Sequence, residues 1–212
     1  MDRLSISKEK SGIMGLDFAD AVEHGTIVSE LAVLVARCLG MDFDFCNDIA
    51  VAAMLHDIGK LRLSEHLHKE RSEAMVVEKM KYVRMHAAFS RDIMKEQGYK
   101  DNLLEMVYHH HENYDGSGYP SNISGEDIPL GARIIRVCDV FVALVSDRSY
   151  RKAFSEKVAI ELMIEEERHF DIKVFLAFLE VIHSDGYAKV KRLMRGDIAA
   201  EAESYYKDNI DM

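Results

Sequence analysis

Apolar residues along this chain recur at spacings of three and four, the mark of helices that bury one face. Over residues 17–39 the stripe runs Asp20, His24, Ile27, Leu31, Leu34 and Cys38. Further helices are predicted over 45–55, 72–83, 85–97, 102–111, 130–146, 155–167, 172–183 and 188–206. Ser155 offers an N-cap to one of them and Gly98 a stop to another. No stretch sustains the period of two that a strand needs. The one clear loop, 112–129, holds both prolines, Pro120 and Pro129, together with Gly116, Gly118 and Gly125. That much backbone punctuation in a helical chain predicts an ordered loop of special shape.

The expected fold class is all-α. At 212 residues the chain suits one domain with a sizeable core. Its expected extent is 17–186, with 1–16 a loose N-terminal arm and 187–212 a C-terminal helix, packed on the domain or used in self-association. The longest apolar run, 49–55, is far short of the roughly 20 residues of a membrane helix. No signal-peptide pattern opens the chain, and a cytoplasmic location is the expectation. With no room for a sensor or receiver module, the input is expected from expression, a partner or self-association.

Composition changes this picture in two places. Cys38, Cys46 and Cys138 show no CxxC spacing, so thiolate zinc sites and redox pairs are not expected and buried free thiols are. A net charge of −10 argues against broad binding to nucleic acid. Within that acidic chain, Arg133, Arg136, Arg148, Arg151 and Lys152 form a basic segment interrupted only by Asp139 and Asp147. Such a patch suits a small anionic ligand.

The strongest chemical signal is His56-Asp57-Ile58-Gly59-Lys60, at the end of the apolar helix carrying Ala50, Ala53, Met54 and Leu55. A carboxylate at the rim of a core calls for a partner cation. For the pair alone, Asp57 as a cap and His56 as a core histidine is an equal reading. Other buried stripes carry more candidates: His24; His86, ahead of Phe89 and Ile93; His110 and His111, after Leu103, Leu104 and Val107; and Asp139, among Ala132, Ile135 and Val142. Imidazole and carboxylate without thiolate suit iron, manganese or zinc in a catalytic role. So many ligands exceed the needs of one ion and imply two, about 3.5–4 Å apart in the usual bimetallic geometry, with Asp57 the natural bridge. His66, His68, His109, His169 and His183 are read as solvated or structural.

Four further runs extend the pattern. His110-His111-Glu112-Asn113-Tyr114-Asp115-Gly116-Ser117-Gly118-Tyr119-Pro120 follows the His-Asp pair, and Ile128-Pro129-Leu130-Gly131-Ala132-Arg133-Ile134, Asp139-Val140-Phe141-Val142-Ala143-Leu144 and Arg148-Ser149-Tyr150-Arg151 come after it. Together they resemble the HD-GYP subgroup of the HD phosphohydrolases, over about residues 24–183. The resemblance implies an HD-type helical bundle with the Gly/Pro loop at the active-site mouth. It also implies hydrolysis of the bacterial second messenger cyclic di-GMP at a centre of two or three metal ions, most often iron or manganese. The product would be linear pGpG, cut further to GMP in some members.

By position, the resemblance makes His24, His56, Asp57, His86, His110, His111 and Asp139 metal ligands. Asp20 stands where members with a third metal carry Glu. Lys60 matches the substrate-facing lysine and would assist catalysis beside Asp57, while Arg148 and Arg151 match residues that contact the dinucleotide. Tyr119 and its loop would shape a wall of the cleft or present a docking surface to another protein. The chain departs from the pattern after Lys60, where Leu61-Arg62-Leu63-Ser64-Glu65-His66 lacks the usual Gly and Pro. Asn113-Tyr114 replaces an Arg-Trp pair and Val142 an Asp. A phosphodiesterase for cyclic GMP-AMP or another nucleotide, or a domain that only binds cyclic dinucleotide, are the alternatives, and a homodimer fits any of them. No nucleic-acid polymer and no membrane are expected as partners.

Overall fold

The computed structural model describes residues 3–62, 84–147 and 151–197, with side chains from residue 21 onward. Eight α-helices are found among them: α1 (Arg3–Cys38), α2 (Phe43–Leu55), α3 (His86–Glu96), α4 (Asp101–Tyr108), α5 (Leu130–Val145), α6 (Glu156–Glu165), α7 (Ile172–Ile182) and α8 (Ala188–Met194). No β-strand occurs among the described residues, and none of their helices is long and apolar enough to cross a membrane.

Helix α1 is the axis, and α2, α5, α7 and α8 pack around it. Its buried stripe of Ile27, Val28, Leu31, Ala32 and Val35 meets Ile49, Ala52 and Ala53 of α2. Gly25 lets the two backbones approach closely, because a methyl group there would overlap the carbonyl oxygen of Met54. Ser29 donates to the carbonyl of Ala50 at 2.8 Å across the same seam. On the other side Phe141 of α5 meets Phe178 of α7 edge to face at 4.9 Å, a geometry that aromatic quadrupoles favour. Both rings are fully buried, each contributing about 1.5–3 kcal/mol of apolar transfer.

Caps account for several boundaries. Asp42 accepts from the Phe45 amide, Ser155 from Val158 and Asp171 from Lys173, so α2, α6 and α7 each begin on an oxygen that satisfies an orphan N–H. Helix α1 starts at Arg3, well before the expected 17, and no proline interrupts the residues between. Helix α4 stops at Tyr108 rather than running through His111, and residues 109–111 form a turn. Helix α8 ends at Met194, where Gly196 takes a φ of +73°. The helix expected over 72–83 lies outside the described residues, as do His66, His68 and the segment from 198 on.

Candidate metal centre

Five pieces of chain converge at one end of the bundle. His24 comes from α1 and His56-Asp57 from the turn that closes α2. His86 opens α3, His110 and His111 lie in the turn after α4, and Asp139 sits in α5. The early end of α4 matters here. Adjacent helical residues point about 100° apart, whereas the turn brings the rings of His110 and His111 to 4.1 Å between centroids.

The donor atoms fall into two groups, His24, His56 and Asp57 on one side and His86, His110 and His111 on the other, each within 4.8 Å. Asp57 spans them. Its Oδ1 lies 3.2 Å from Nε2 of His86, and its Oδ2 lies 3.4 Å from Nε2 of His56. Asp139 Oδ1 reaches His24 Nε2 at 2.9 Å and His56 Nε2 at 3.8 Å. In the second group Nε2 of His86 is 3.3 Å from that of His110 and 3.0 Å from that of His111.

Tautomers can be assigned for two of the rings. Nδ1 of His56 lies 2.6 Å from the carbonyl of Ala53, and Nδ1 of His110 lies 2.6 Å from that of Val107. A carbonyl can only accept, so both Nδ1 atoms carry the proton and both Nε2 lone pairs face the cluster. This is the arrangement by which a backbone carbonyl orients a ligating imidazole. His56 Nε2 and Asp57 Oδ1 are moreover buried without a hydrogen-bond partner. Left so, each costs about 1–3 kcal/mol, and cations held in the two ligand groups would satisfy them. The residues present therefore fit divalent metal ions: a hard carboxylate and borderline imidazoles, with lone pairs converging.

Charge in the cluster is strongly perturbed. Burial pushes the carboxyls of Asp57 and Asp139 up, but His56 and Lys60 beside Asp57, and His24 and His56 beside Asp139, prevail and hold both well below the ordinary range. Burial, reinforced by its imidazole neighbours, holds His110 well below its usual value. Burial also takes His111 down to about 3. His56 runs the other way, because Asp57 and Asp139 outweigh the effect of burial and raise it.

A pH dependence of the metal-free protein follows. Below about pH 6.5 the unfolded chain binds protons at His110 and His111 that the folded chain refuses, so stability falls with acid. The slope reaches about 1.4 kcal/mol per pH unit for each histidine. The raised pKa of His56 contributes stability that is complete below about 6.5 and lost as pH rises through its folded value. The depressed aspartates lose their contribution only in stronger acid, below about 3.9. The urea midpoint of chelator-treated protein should therefore be lower at pH 5.5 than at 7.0. An unchanged or higher midpoint would contradict the assignment of neutral His110 and His111.

Around the cluster, Lys60 forms an ion pair with Asp57 Oδ2 while remaining half exposed. Tyr119 stacks on His111 at 4.8 Å and 23°, and its amide donates to the His111 carbonyl at 3.2 Å. Arg84 lies over the Tyr119 ring, 5.2 Å from its centroid. Burial pushes the Tyr119 phenol up to about 12.

The basic segment in α5 and just beyond it resolves into separate roles. Arg133 pairs with buried Asp171 at 2.5 Å, and Lys152 pairs with exposed Asp147 at 2.8 Å. Arg151 donates to the carbonyls of Ala143, Leu144 and Lys152 and lies over the Phe154 ring at 4.5 Å. It thus caps the C-terminus of α5, a structural task beside the substrate contact expected of it. Arg148 lies outside the described residues, as does the side chain of Asp20, whose backbone stands one helical turn before His24 in α1. His109 is buried between Glu105 and Glu112, at 3.2 and 3.6 Å, and holds the turn rather than joining the cluster.

Two residues at the site had no role of their own in the sequence, where Arg136 stood only within the basic patch and Asn113 only as a departure from the family pattern. Arg136 directs Nε and Nη2 at Asn113 Oδ1, at 3.1 and 2.9 Å. The signal was its place three residues before Asp139, which puts both on one face of α5.

A family model described as HD domain matches residues 11–174. The chain is 31% identical over 183 residues to "Cyclic di-GMP phosphodiesterase PA4108" of Pseudomonas aeruginosa, covering 86% of this chain and 44% of that protein. It is also 31% identical over 198 residues to "3'3'-cGAMP-specific phosphodiesterase 2" of Vibrio cholerae, covering 87% of this chain and 37% of that protein. It thus spans less than half the length of these curated relatives. Among solved structures, the HDG"Y"P protein Bd1817 of Bdellovibrio bacteriovorus shares the fold, with a TM-score of 0.61 at 18% identity over 77% of this chain and 53% of that one.

Proposed function

Since the chain belongs to the HD domain family, whose phosphohydrolases are metal-dependent, we propose that it is a phosphodiesterase that hydrolyses cyclic di-GMP to linear pGpG. The observation that carries this reading is the pair of ligand groups joined through Asp57, with imidazole nitrogens converging and two buried atoms lacking partners. His24, His56, Asp57 and Asp139 would hold one divalent ion, and His86, His110 and His111 with Asp57 the other, iron or manganese suiting both. Bound there, such ions supply an activated water and Lewis acidity toward a phosphoryl oxygen.

The chain's own residues prepare that chemistry. The carbonyls of Ala53 and Val107 hold His56 and His110 in the ligating tautomer. Lys60 places an ammonium at the open edge of the cluster, where charge develops on the phosphoryl oxygens. Tyr119 covers His111 and offers an aromatic wall to a purine base. Arg151 serves this scheme by holding the end of α5 in place.

Cyclic GMP-AMP is the second reading, favoured by the likeness to a relative named for that substrate. The test is metal analysis of the purified chain, followed by anaerobic incubation with each dinucleotide in iron and in manganese and chromatography of the products. Production of pGpG from cyclic di-GMP is the expected result. Bound metal with turnover of neither dinucleotide would overturn the proposal and leave a binding domain.

A further inference from the structure

Of the basic side chains in α5 and just beyond it, Arg133 and Lys152 have carboxylate partners and Arg151 is spent on main-chain carbonyls. Arg136 differs. Its side chain is largely buried, yet its hydrogen-bond partner among the described residues is the neutral amide oxygen of Asn113. No carboxylate oxygen of those residues lies within 4.0 Å of its nitrogens. A guanidinium has five donor protons, and Asn113 takes only two of them.

The loop fixes the plane of that guanidinium. Asp115 accepts from the Ser117 hydroxyl at 2.6 Å and from its amide at 2.9 Å. The Ser117 hydroxyl oxygen accepts from Asn113 Nδ2 at 2.9 Å, which leaves Asn113 Oδ1 turned toward Arg136. The chain from Asp115 to Arg136 thus has one sense of donation. It holds a cation beside the metal cluster, close enough for its charge to bear on Asp139, Tyr119 and His111. A partly desolvated cation with a neutral partner and spare donors is built to receive an anion.

We infer that Arg136 is a substrate-binding residue, whose free donors take a phosphodiester oxygen of the cyclic dinucleotide at the mouth of the metal centre. The inference rests on the proposed phosphodiesterase reading. Contact with a phosphate that is charged both before and during reaction acts on binding throughout, so its loss is read in KM more than in kcat.

Arg136→Gln in the manganese-loaded full chain should keep its metal content and raise KM for cyclic di-GMP about 10-fold or more, with kcat changed by less than about 3-fold. Arg136→Lys should recover part of the loss. Asn113→Asp keeps the shape but sets a carboxylate on the guanidinium. It should leave thermal stability equal or higher while raising KM several-fold, which a merely structural arginine would not do. Binding of inorganic phosphate, measured by calorimetry, separates this inference from the reading beneath it. If the wild-type chain turns over no cyclic dinucleotide, the proposed function fails, and a fall of about 10-fold in phosphate affinity in Arg136→Gln still supports the anion site. Unchanged KM and unchanged phosphate affinity in both Arg136→Gln and Asn113→Asp would overturn the inference.

Discussion

Asp57→Asn is expected to yield folded protein with at most one metal ion per chain and with the proposed phosphodiesterase activity lowered by about 10³-fold or more. The expectation comes from the position of this carboxylate between the two ligand groups. One oxygen faces His86 at 3.2 Å and the other faces His56 at 3.4 Å, so no other side chain of the cluster touches both groups in this way. Asparagine fills the same volume but removes the negative charge and presents an N–H₂ where a ligand oxygen stood. An ion held near His24 would then keep Asp139 as its carboxylate. One held near His86, His110 and His111 would lose the carboxylate closest to it and be left with imidazoles. Metal analysis after gel filtration and single-turnover assays of the same sample test the two losses together. Full metal and full activity in Asp57→Asn would remove Asp57 from the centre.

The helical frame and most of the cluster were legible in the sequence because both rest on local pattern. A spacing of three and four placed α1, α3, α5 and α7 to within a few residues at most of their ends, apart from the start of α1, and put His24, His86 and Asp139 on buried stripes. What escaped was non-local. Helix α4 carries no Gly or Pro at its end, so nothing announced the turn that lets His110 and His111 face inward together. Arg136 and Asn113 are 23 residues apart on a helix and a loop, and only the fold brings them together. Arg151 is the converse case. Its type suits a phosphate, and the fold adds a task that the sequence did not announce, donation to the unsatisfied carbonyls at the end of α5.

Gly59→Ala is expected to damage the centre without touching any ligand. Gly59 is buried in the turn that follows Asp57, and its amide donates to Ser90 Oγ of α3 at 2.8 Å. A methyl group there would overlap the carbonyl oxygen of His86 and the amide nitrogen of Ser90, both main-chain atoms that cannot swing aside. The start of α3 must then move away from the end of α2, and that seam carries the 3.2 Å approach of His86 to Asp57. The strain should lower stability by about 1–3 kcal/mol, read from urea unfolding in chelator. The displacement should weaken metal binding by about 10–100-fold, the loss typical when the support of a ligand is disturbed. Gly98→Ala, at the other end of α3, separates the two effects. Its φ of +79° makes a side chain costly by about 1–2 kcal/mol, but no atom lies within 4 Å of the added methyl. It should lose comparable stability and keep its metal. Equal metal affinity in the two variants would show that the close contact at Gly59 serves the fold alone.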